Sequence, residues 1–370
     1  MNGKKVAVVM SGTADYAFAI GNVLMGLTRH SPGLADETVI YHQGFSGRDK
    51  EALEAIRPCR FIEYRGEALS GYVESEHFRR VTTATFATFE MFDHLENFNY
   101  VIYLDADILI YRDIGGLIDY ARPVGMSLIS KNSPGVLEGQ LGANHEGRPL
   151  PDFEGNAGVI VVGDQIDSRG LKELMYKKAV QYSPTNKRGD QTIFNLGLFL
   201  QGIPVCDLPA EYNYRGFCLP INPQVRILHQ VYLEKFWNNA IVKLMAPQWE
   251  ENYRLWLEMG GSPYQGEVRF KEFSVVGEAP LFKLAAAARI YQAALNDLLS
   301  RLGQRLSDRF GFEFQVENYC LKLYCGGLAT AEIHMFDKYV SISAEGEGAA
   351  AAGELWEKRR DGEFFARRNP

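Results

Sequence analysis

The sequence predicts an α/β fold: a mostly parallel sheet with flanking helices, followed by a C-terminal accessory α+β segment. Three observations carry this. Strand-like and helix-like runs alternate from Val6 to Tyr64. A strongly apolar strand, Tyr100–Leu104, ends abruptly in Asp105-Ala106-Asp107. The texture changes after about residue 246, where strand–helix alternation gives way to helical stretches and then to strand-like alternation. Alternating strands and helices imply a parallel sheet with helices on its faces.

Each element has a local reason. Val6–Met10 is short, apolar and closed by Ser11-Gly12, which suits a buried strand. Tyr16 to Arg29 carries apolar residues at helical spacing, with Asp15 placed as its N-cap. Thr38–Tyr41 reads as the second strand, Asp49–Ile56 as the second helix and Arg60–Tyr64 as the third strand. Arg79 to Leu95 reads as a helix whose Phe86, Phe89 and Phe92 pack into the core. Met126–Ile129, Val159–Val162 and Val225–Leu228 are further strands. Residues 132–152, rich in Gly, Pro and Asn, read as a long loop of the kind that covers binding sites.

Gln248–Met259 reads as a helix broken by Gly260-Gly261-Ser262-Pro263. Leu281 to Phe310 is an amphipathic helical stretch, and residues 312–343 alternate like strands. These features place one domain over residues 1–264 and an accessory segment over residues 265–370. The tail is Ala/Gly-rich at 348–353, and Trp356, Phe364 and Phe365 interleave with Lys358, Arg359, Arg360, Arg367 and Arg368. It reads as a frayed, solvated terminus, with peripheral membrane contact as the second reading.

Composition excludes several classes. Hydrophobic residues make up 46% and charged residues 23%, the balance of an ordinary globular protein. A net charge of -7 argues against bulk affinity for nucleic acid or anionic lipid. The five cysteines are odd in number and none has CxxC spacing, which suits reduced thiols in a cytoplasmic protein. The apolar run after Lys4 and Lys5 is too short for a signal peptide. No run of about 18 apolar residues exists to span a membrane.

The chemistry gathers at the strand ends. Ligands of open α/β sheets bind outside the carboxyl edge, where Asp105 and Asp107 fall. Two carboxylates so close repel each other unless a hard divalent cation bound to their oxygens offsets the charge. In an extended strand, residues i and i+2 share a face, so both carboxylates could reach one ion. Phe153 to Val159 precedes a strand and offers small residues, Gly155, Ala157 and Gly158, for close ligand approach. Asp190 and Gln191 stand at the start of a helix. His229 follows a strand, with Lys235 and Trp237 shortly after it. Taken singly, His229 reads as a structural histidine, Lys235 as a surface lysine, Asp190 as a helix-start acid and Asn156 as a turn residue.

Their joint order resembles glycosyltransferase family 8, retaining enzymes of the GT-A fold (a Rossmann-like sheet). That family has a nucleotide-binding first strand, a YLDxD motif, an NAG segment, a DQ pair and a late H-x-x-G-x-x-K-P-W motif. This chain has Asp15-Tyr16, Tyr103-Leu104-Asp105-Ala106-Asp107, Asn156-Ala157-Gly158, Asp190-Gln191 and His229 with Lys235 and Trp237, over roughly residues 5–240. The resemblance implies that Asp105, Asp107 and His229 hold Mn²⁺ or Mg²⁺. It implies that Asp15, Tyr16, Asp105, Asn156, Ala157 and Lys235 bind a nucleotide-sugar donor such as UDP-glucose or UDP-galactose. Asp190 would hydrogen-bond the donor sugar, and Gln191 would lie beneath the anomeric carbon. The acceptor, whether glycan, lipid-linked or protein, is not legible.

The chain departs from the family at four places. Tyr232 stands for the glycine of the late motif and Phe236 for its proline. Thr88 stands where the family has a donor-binding arginine, and Thr192 where a second acid is common. Arg79, Arg80 and Arg188 are candidate substitutes for the lost positive charge. Two other readings remain at this level: a glycosyltransferase-like protein that binds a nucleotide sugar with weak turnover, and a haloacid-dehalogenase-like phosphatase using Asp105 as nucleophile.

Overall fold

Short apolar runs that cannot tolerate water on either face form the middle of the first sheet. The computed structural model describes residues 5–73, 82–128, 154–168, 170–186, 189–215, 224–231, 234–239, 242–243, 246–268, 300–301, 303–304, 307–308, 313–317, 320–325, 328–335 and 340–344. The expected loop at 132–152, the basic tail, Arg79, Arg80, Arg188 and Tyr232 lie outside these residues. The chain divides into two compact units. One comprises Met1–Arg215, Pro223–Val231 and Gln248–Gln265; the other comprises Gly216–Asn222, Tyr232–Pro247 and Gly266–Pro370.

In the first unit β1 (Val6–Thr13) is followed by α1 (Ala17–His30), β2 (Glu37–Gln43), α2 (Gly47–Ile56) and β3 (Arg60–Glu63). A helix of the tighter 3-10 type, Thr83–Glu96, precedes β4 (Tyr100–Leu104). Then come β5 (Ile108–Ile110), β6 (Val124–Leu128), β7 (Gly155–Gly163), α3 (Leu171–Tyr182), α4 (Asp190–Leu200) and β8 (Val205–Asp207). The seven-stranded sheet runs β3-β2-β1-β4-β7-β6-β8. β7 is antiparallel to both of its neighbours, while every other adjacent pair is parallel. The sheet is therefore mostly parallel, as the sequence predicts.

A second, three-stranded sheet joins β5 to β10 (Ile227–His229) and β9 (Tyr214–Arg215). It brings the turn after β4 against a strand more than a hundred residues later. β10 is antiparallel to β5, with His229 opposite Ile108.

The core lies on both faces of the main sheet. Val8, Val9 and Met10 of β1 are wholly buried, each contributing roughly 1.5–3 kcal/mol. Phe92 stacks on Phe194 of α4 at 5.7 Å and Phe89 lies tilted to the same ring at 6.4 Å, core packing of the kind the sequence suggests. The last helix of this unit, α5 (Pro247–Glu258), packs on α1. A Cβ at Gly21 would lie 2.6 Å from the Trp256 ring, so only glycine lets the indole seat there. Asn252 Nδ2 donates to Asn22 Oδ1 at 3.0 Å across the same contact. Beyond α5 the chain turns at Gly260, whose φ of 90° favours glycine. It then docks on α2, where Ser262 N–H donates to Asp49 Oδ1 at 2.8 Å.

Four local expectations change. Asp15 does not cap α1, because a 3-10 turn, Ala14–Tyr16, intervenes and Tyr16 takes the N-cap position. Asp15 instead accepts a hydrogen bond from Thr13 Oγ1. Asp105-Ala106-Asp107 occupies the turn between β4 and β5 rather than an extended strand, because β5 leaves the main sheet to pair with β10. Gly155-Asn156-Ala157-Gly158 lies within β7 instead of preceding it, since pairing with β4 and β6 begins at once. His229 is the last residue of β10 rather than a residue after the strand.

The second unit contains an antiparallel sheet in chain order: β11 (Glu313–Glu317), β12 (Cys320–Cys325), β13 (Leu328–Met335) and β14 (Val340–Ala344). The strand-like alternation read over 312–343 thus forms a meander.

Candidate metal and donor site

Two carboxylates and one histidine meet where the two sheets of the first unit diverge. Asp105, Asp107 and His229 each offer a ligand atom, and these atoms lie within 4.8 Å of one another. Backbone contacts set this up. Asp105 N–H donates to Gly158 O at 2.8 Å, and Gln230 N–H donates to Asp107 O at 3.0 Å. These backbone bonds hold the turn that carries both carboxylates. His229 Nε2 lies 3.0 Å from Asp107 Oδ1 and 3.6 Å from Asp105 Oδ2. The imidazole is 2% exposed and the Asp107 carboxylate 15%, so water screens this charge poorly.

The donor set fits a hard divalent cation with one imidazole ligand. The backbone fits too. A Cβ at Gly158 would come within 2.1 Å of His229 Cε1 and 2.6 Å of Asp105 Oδ2. The small residue in the NAG segment is the floor of the cluster.

Asp190 and Gln191 open α4 just after Gly189, whose φ of 60° again favours glycine. Thr85 Oγ1 donates to Asp190 Oδ1 at 2.7 Å. Thr88 Oγ1 lies 3.4 Å from Oδ2, but its one hydrogen is shared with Thr85 O at 2.8 Å, so its hold on the acid is the weaker of the two. Burial pushes the Asp190 carboxyl up to about 6, against the opposing hydrogen bonds from Thr85, Thr88 and two backbone N–H groups. Below a pH of about 4 the group is protonated whether folded or unfolded. Between about 4 and about 6 only the unfolded chain ionises, so stability falls as pH rises. Asp190→Asn should remove that fall, a difference of roughly 3 kcal/mol fully developed above pH 6. Denaturant unfolding of both proteins across this range checks it; parallel stability curves would refute it.

Gln191 is held on two sides. Its Oε1 accepts from Asn156 Nδ2 at 3.0 Å, and its backbone O from Asn195 Nδ2 at 2.8 Å. Asn195 also clamps both backbone groups of Gly155, accepting from its N–H at 2.6 Å and donating to its O at 2.8 Å. α4 is thereby locked to β7. Thr192, where a second acid was expected by resemblance, donates instead to the fully buried Glu154 at 2.8 Å.

Asp15 and Tyr16 sit in the 3-10 turn after β1. Burial raises the Tyr16 hydroxyl to about 12, and the carboxylates of Asp107 and Asp15 add to the effect. Ala157 is buried in β7 and its methyl side chain carries no polar atom. Lys235 belongs to the second unit, where its N–H donates to Asn238 Oδ1 at 2.6 Å.

Three contributors were not singled out in the sequence: Asn213, Thr85 and Asn195. Asn195 follows Gln191 by one helical turn, a spacing that could have flagged it. Asn213 and Thr85 carry no local signal.

The profile of glycosyl transferase family 8 matches residues 7–240, well over half of the chain. The chain is a glycosyltransferase. It belongs to glycosyltransferase family 8. Among solved structures it is similar to the galactosyltransferase LgtC bound to donor and acceptor sugar analogues, at 20% identity and a TM-score of 0.53, covering 70% of this chain and 97% of that one. An active-site mutant of LgtC matches at 18% identity and a TM-score of 0.53, over the same 70% and 97%. These likenesses establish a GT-A fold. No curated protein sequence matches the chain. Among the described residues, no helix is long and apolar enough to cross a membrane.

Proposed function

We propose that this glycosyltransferase is a metal-dependent, retaining hexosyltransferase using a nucleoside diphosphate sugar, with UDP-glucose or UDP-galactose as the donor. The observation that carries the reading is the convergence of Asp105, Asp107 and His229 within 4.8 Å, on a glycine floor with no room for a side chain. These three residues would hold Mn²⁺ or Mg²⁺. Bound there, the cation would supply Lewis-acid stabilisation of charge on a leaving nucleoside diphosphate.

The protein's own groups do the rest. Asp15 and Tyr16 bind the nucleoside, and by the family resemblance alone Lys235 is the cation for the phosphates. Asp190, held by Thr85 and Thr88, accepts hydrogen bonds from donor hydroxyls. Gln191 stands beneath the anomeric carbon. An amide is a poor covalent nucleophile, so its role there is electrostatic and positional, consistent with a front-face route. Asn156 and Ala157 shape the donor-facing part of β7.

We assign residues 1–264 to the catalytic domain and 265–370 to an accessory segment. The acceptor is a glycan, lipid-linked sugar or protein. Cysteines without paired spacing support a cytoplasmic setting, and Cys59 and Cys206 are free thiols.

Calorimetric titration of UDP, first with Mn²⁺ and then with EDTA, tests the donor site. Binding that requires the metal is the expected result. Equal binding in EDTA would overturn metal dependence. No binding in either condition would overturn the UDP assignment and favour a different nucleotide.

A further inference from the structure

Behind the metal cluster runs a chain of hydrogen bonds whose polarity one backbone group decides. Gly158 N–H donates to Asn156 Oδ1 at 3.1 Å. A backbone N–H can only donate, so this contact identifies the oxygen end of the Asn156 amide. Asn213 Nδ2 donates to the same oxygen at 2.8 Å. That turns Asn213 Oδ1 toward His229 Nδ1, which lies 2.9 Å away. An amide oxygen can only accept, so Nδ1 carries the hydrogen. In the neutral imidazole the lone pair is then on Nε2, the atom that faces Asp107 and Asp105 at 3.0 and 3.6 Å. In the other direction, Asn156 Nδ2 donates to Gln191 Oε1 at 3.0 Å.

The opposite tautomer has its own attraction. With its hydrogen on Nε2 instead, the imidazole would place a donor 3.0 Å from Asp107 Oδ1, an arrangement that the carboxylate charge favours. That hydrogen would occupy the position where a cation binds. Something must oppose it, and Asn213 is the group that faces Nδ1 with an acceptor. Asn213, Asn156 and His229 are 3%, 8% and 2% exposed, so water is a poor substitute for any member of the chain.

We propose that Asn213 is a positioning residue that keeps His229 in its Nδ1–H tautomer, leaving Nε2 open to a divalent cation. Through Asn156 the same chain orients the Gln191 amide, so the metal ligand and the group beneath the donor sugar share one polarity. The proposal rests on the metal reading above.

Two variants test it. Asn213→Leu removes the acceptor with little change in volume. Asn213→Asp keeps an acceptor facing Nδ1 but cannot donate to Asn156. The tautomer of His229 is read from its imidazole nitrogen chemical shifts in metal-free protein at alkaline pH. Affinity is read with Mn²⁺ alone. Wild type should show Nδ1–H, and Asn213→Asp should retain it. Asn213→Leu should shift to Nε2–H and bind Mn²⁺ roughly 10–100-fold more weakly. A wild-type Nε2–H signal would overturn the proposal, as would loss of the Nδ1–H form in Asn213→Asp. An Asn213→Leu protein unchanged in both readouts would also overturn it. If Asn213→Leu does not fold, wild type and Asn213→Asp decide the matter. Failure of every protein to bind Mn²⁺, with the tautomer pattern intact, would overturn the metal reading and leave the tautomer assignment standing.

Discussion

Asp107→Ala is expected to lower sugar transfer by roughly 1000-fold or more while leaving the fold intact. The turn that carries Asp107 is held by its backbone, since its carbonyl accepts from Gln230 N–H at 3.0 Å and Ile108 pairs with His229. The side chain contributes to the site rather than to the turn. Without it, Asp105 remains as the only carboxylate of the cluster, 3.6 Å from His229 Nε2. A divalent cation would lose one of two formal charges and its closest carboxylate neighbour to the imidazole. Circular dichroism and thermal melting should match wild type, and Mn²⁺-dependent nucleotide binding should vanish. Wild-type turnover in Asp107→Ala, or in wild type with excess chelator, would sink the metal mechanism.

Gly158→Ala is the second large effect, and it needs no loss of a functional group. The added Cβ would lie 2.1 Å from His229 Cε1, 2.6 Å from Asp105 Oδ2 and 2.8 Å from His229 Nδ1. His229 cannot yield cheaply, since it is buried and hydrogen-bonded to Asn213, and the Asp105 carboxylate, 35% exposed, would have to swing away from it. Relief requires His229 and Asp105 to separate, which dismantles the cluster. We expect loss of Mn²⁺ binding and a drop in transfer comparable to Asp107→Ala. An overpacked core of this kind costs about 1–3 kcal/mol, so unfolding by denaturant should also move to lower concentration. Normal Mn²⁺ affinity in Gly158→Ala would show that the glycine is not the floor of the site.

These two positions were not equally legible. Asp107 stands out because an acid pair ending an apolar strand needs a physical reason. Gly158 looks like an ordinary small residue until β7 is paired with β4 and His229 is brought over it. The same holds for Thr88. As a sequence position it marks a missing arginine, whereas in the fold it and Thr85 supply neutral hydroxyls to a buried acid. Asp15 was misread as a helix cap because local spacing cannot distinguish an α-helical first turn from the 3-10 turn that precedes α1.

The order of the parts is written along the chain. Strand–helix alternation marks the parallel half of the sheet, apolar periodicity marks α1, and the succession of acid pair, NAG segment, DQ pair and histidine marks the family. Such features depend on neighbours along the chain, and they survive in a one-dimensional reading. Which groups face one another follows from how the strands pair in three dimensions. His229 meets Asp105 and Asp107 because β10 pairs with β5, and Asn213 reaches His229 because it lies just before β9, which pairs with β10. The direction of each hydrogen bond in that chain follows from one backbone N–H at Gly158. Donor and acceptor roles across such long separations are set by packing and by the requirement that buried polar groups be satisfied. No local pattern of residues records them.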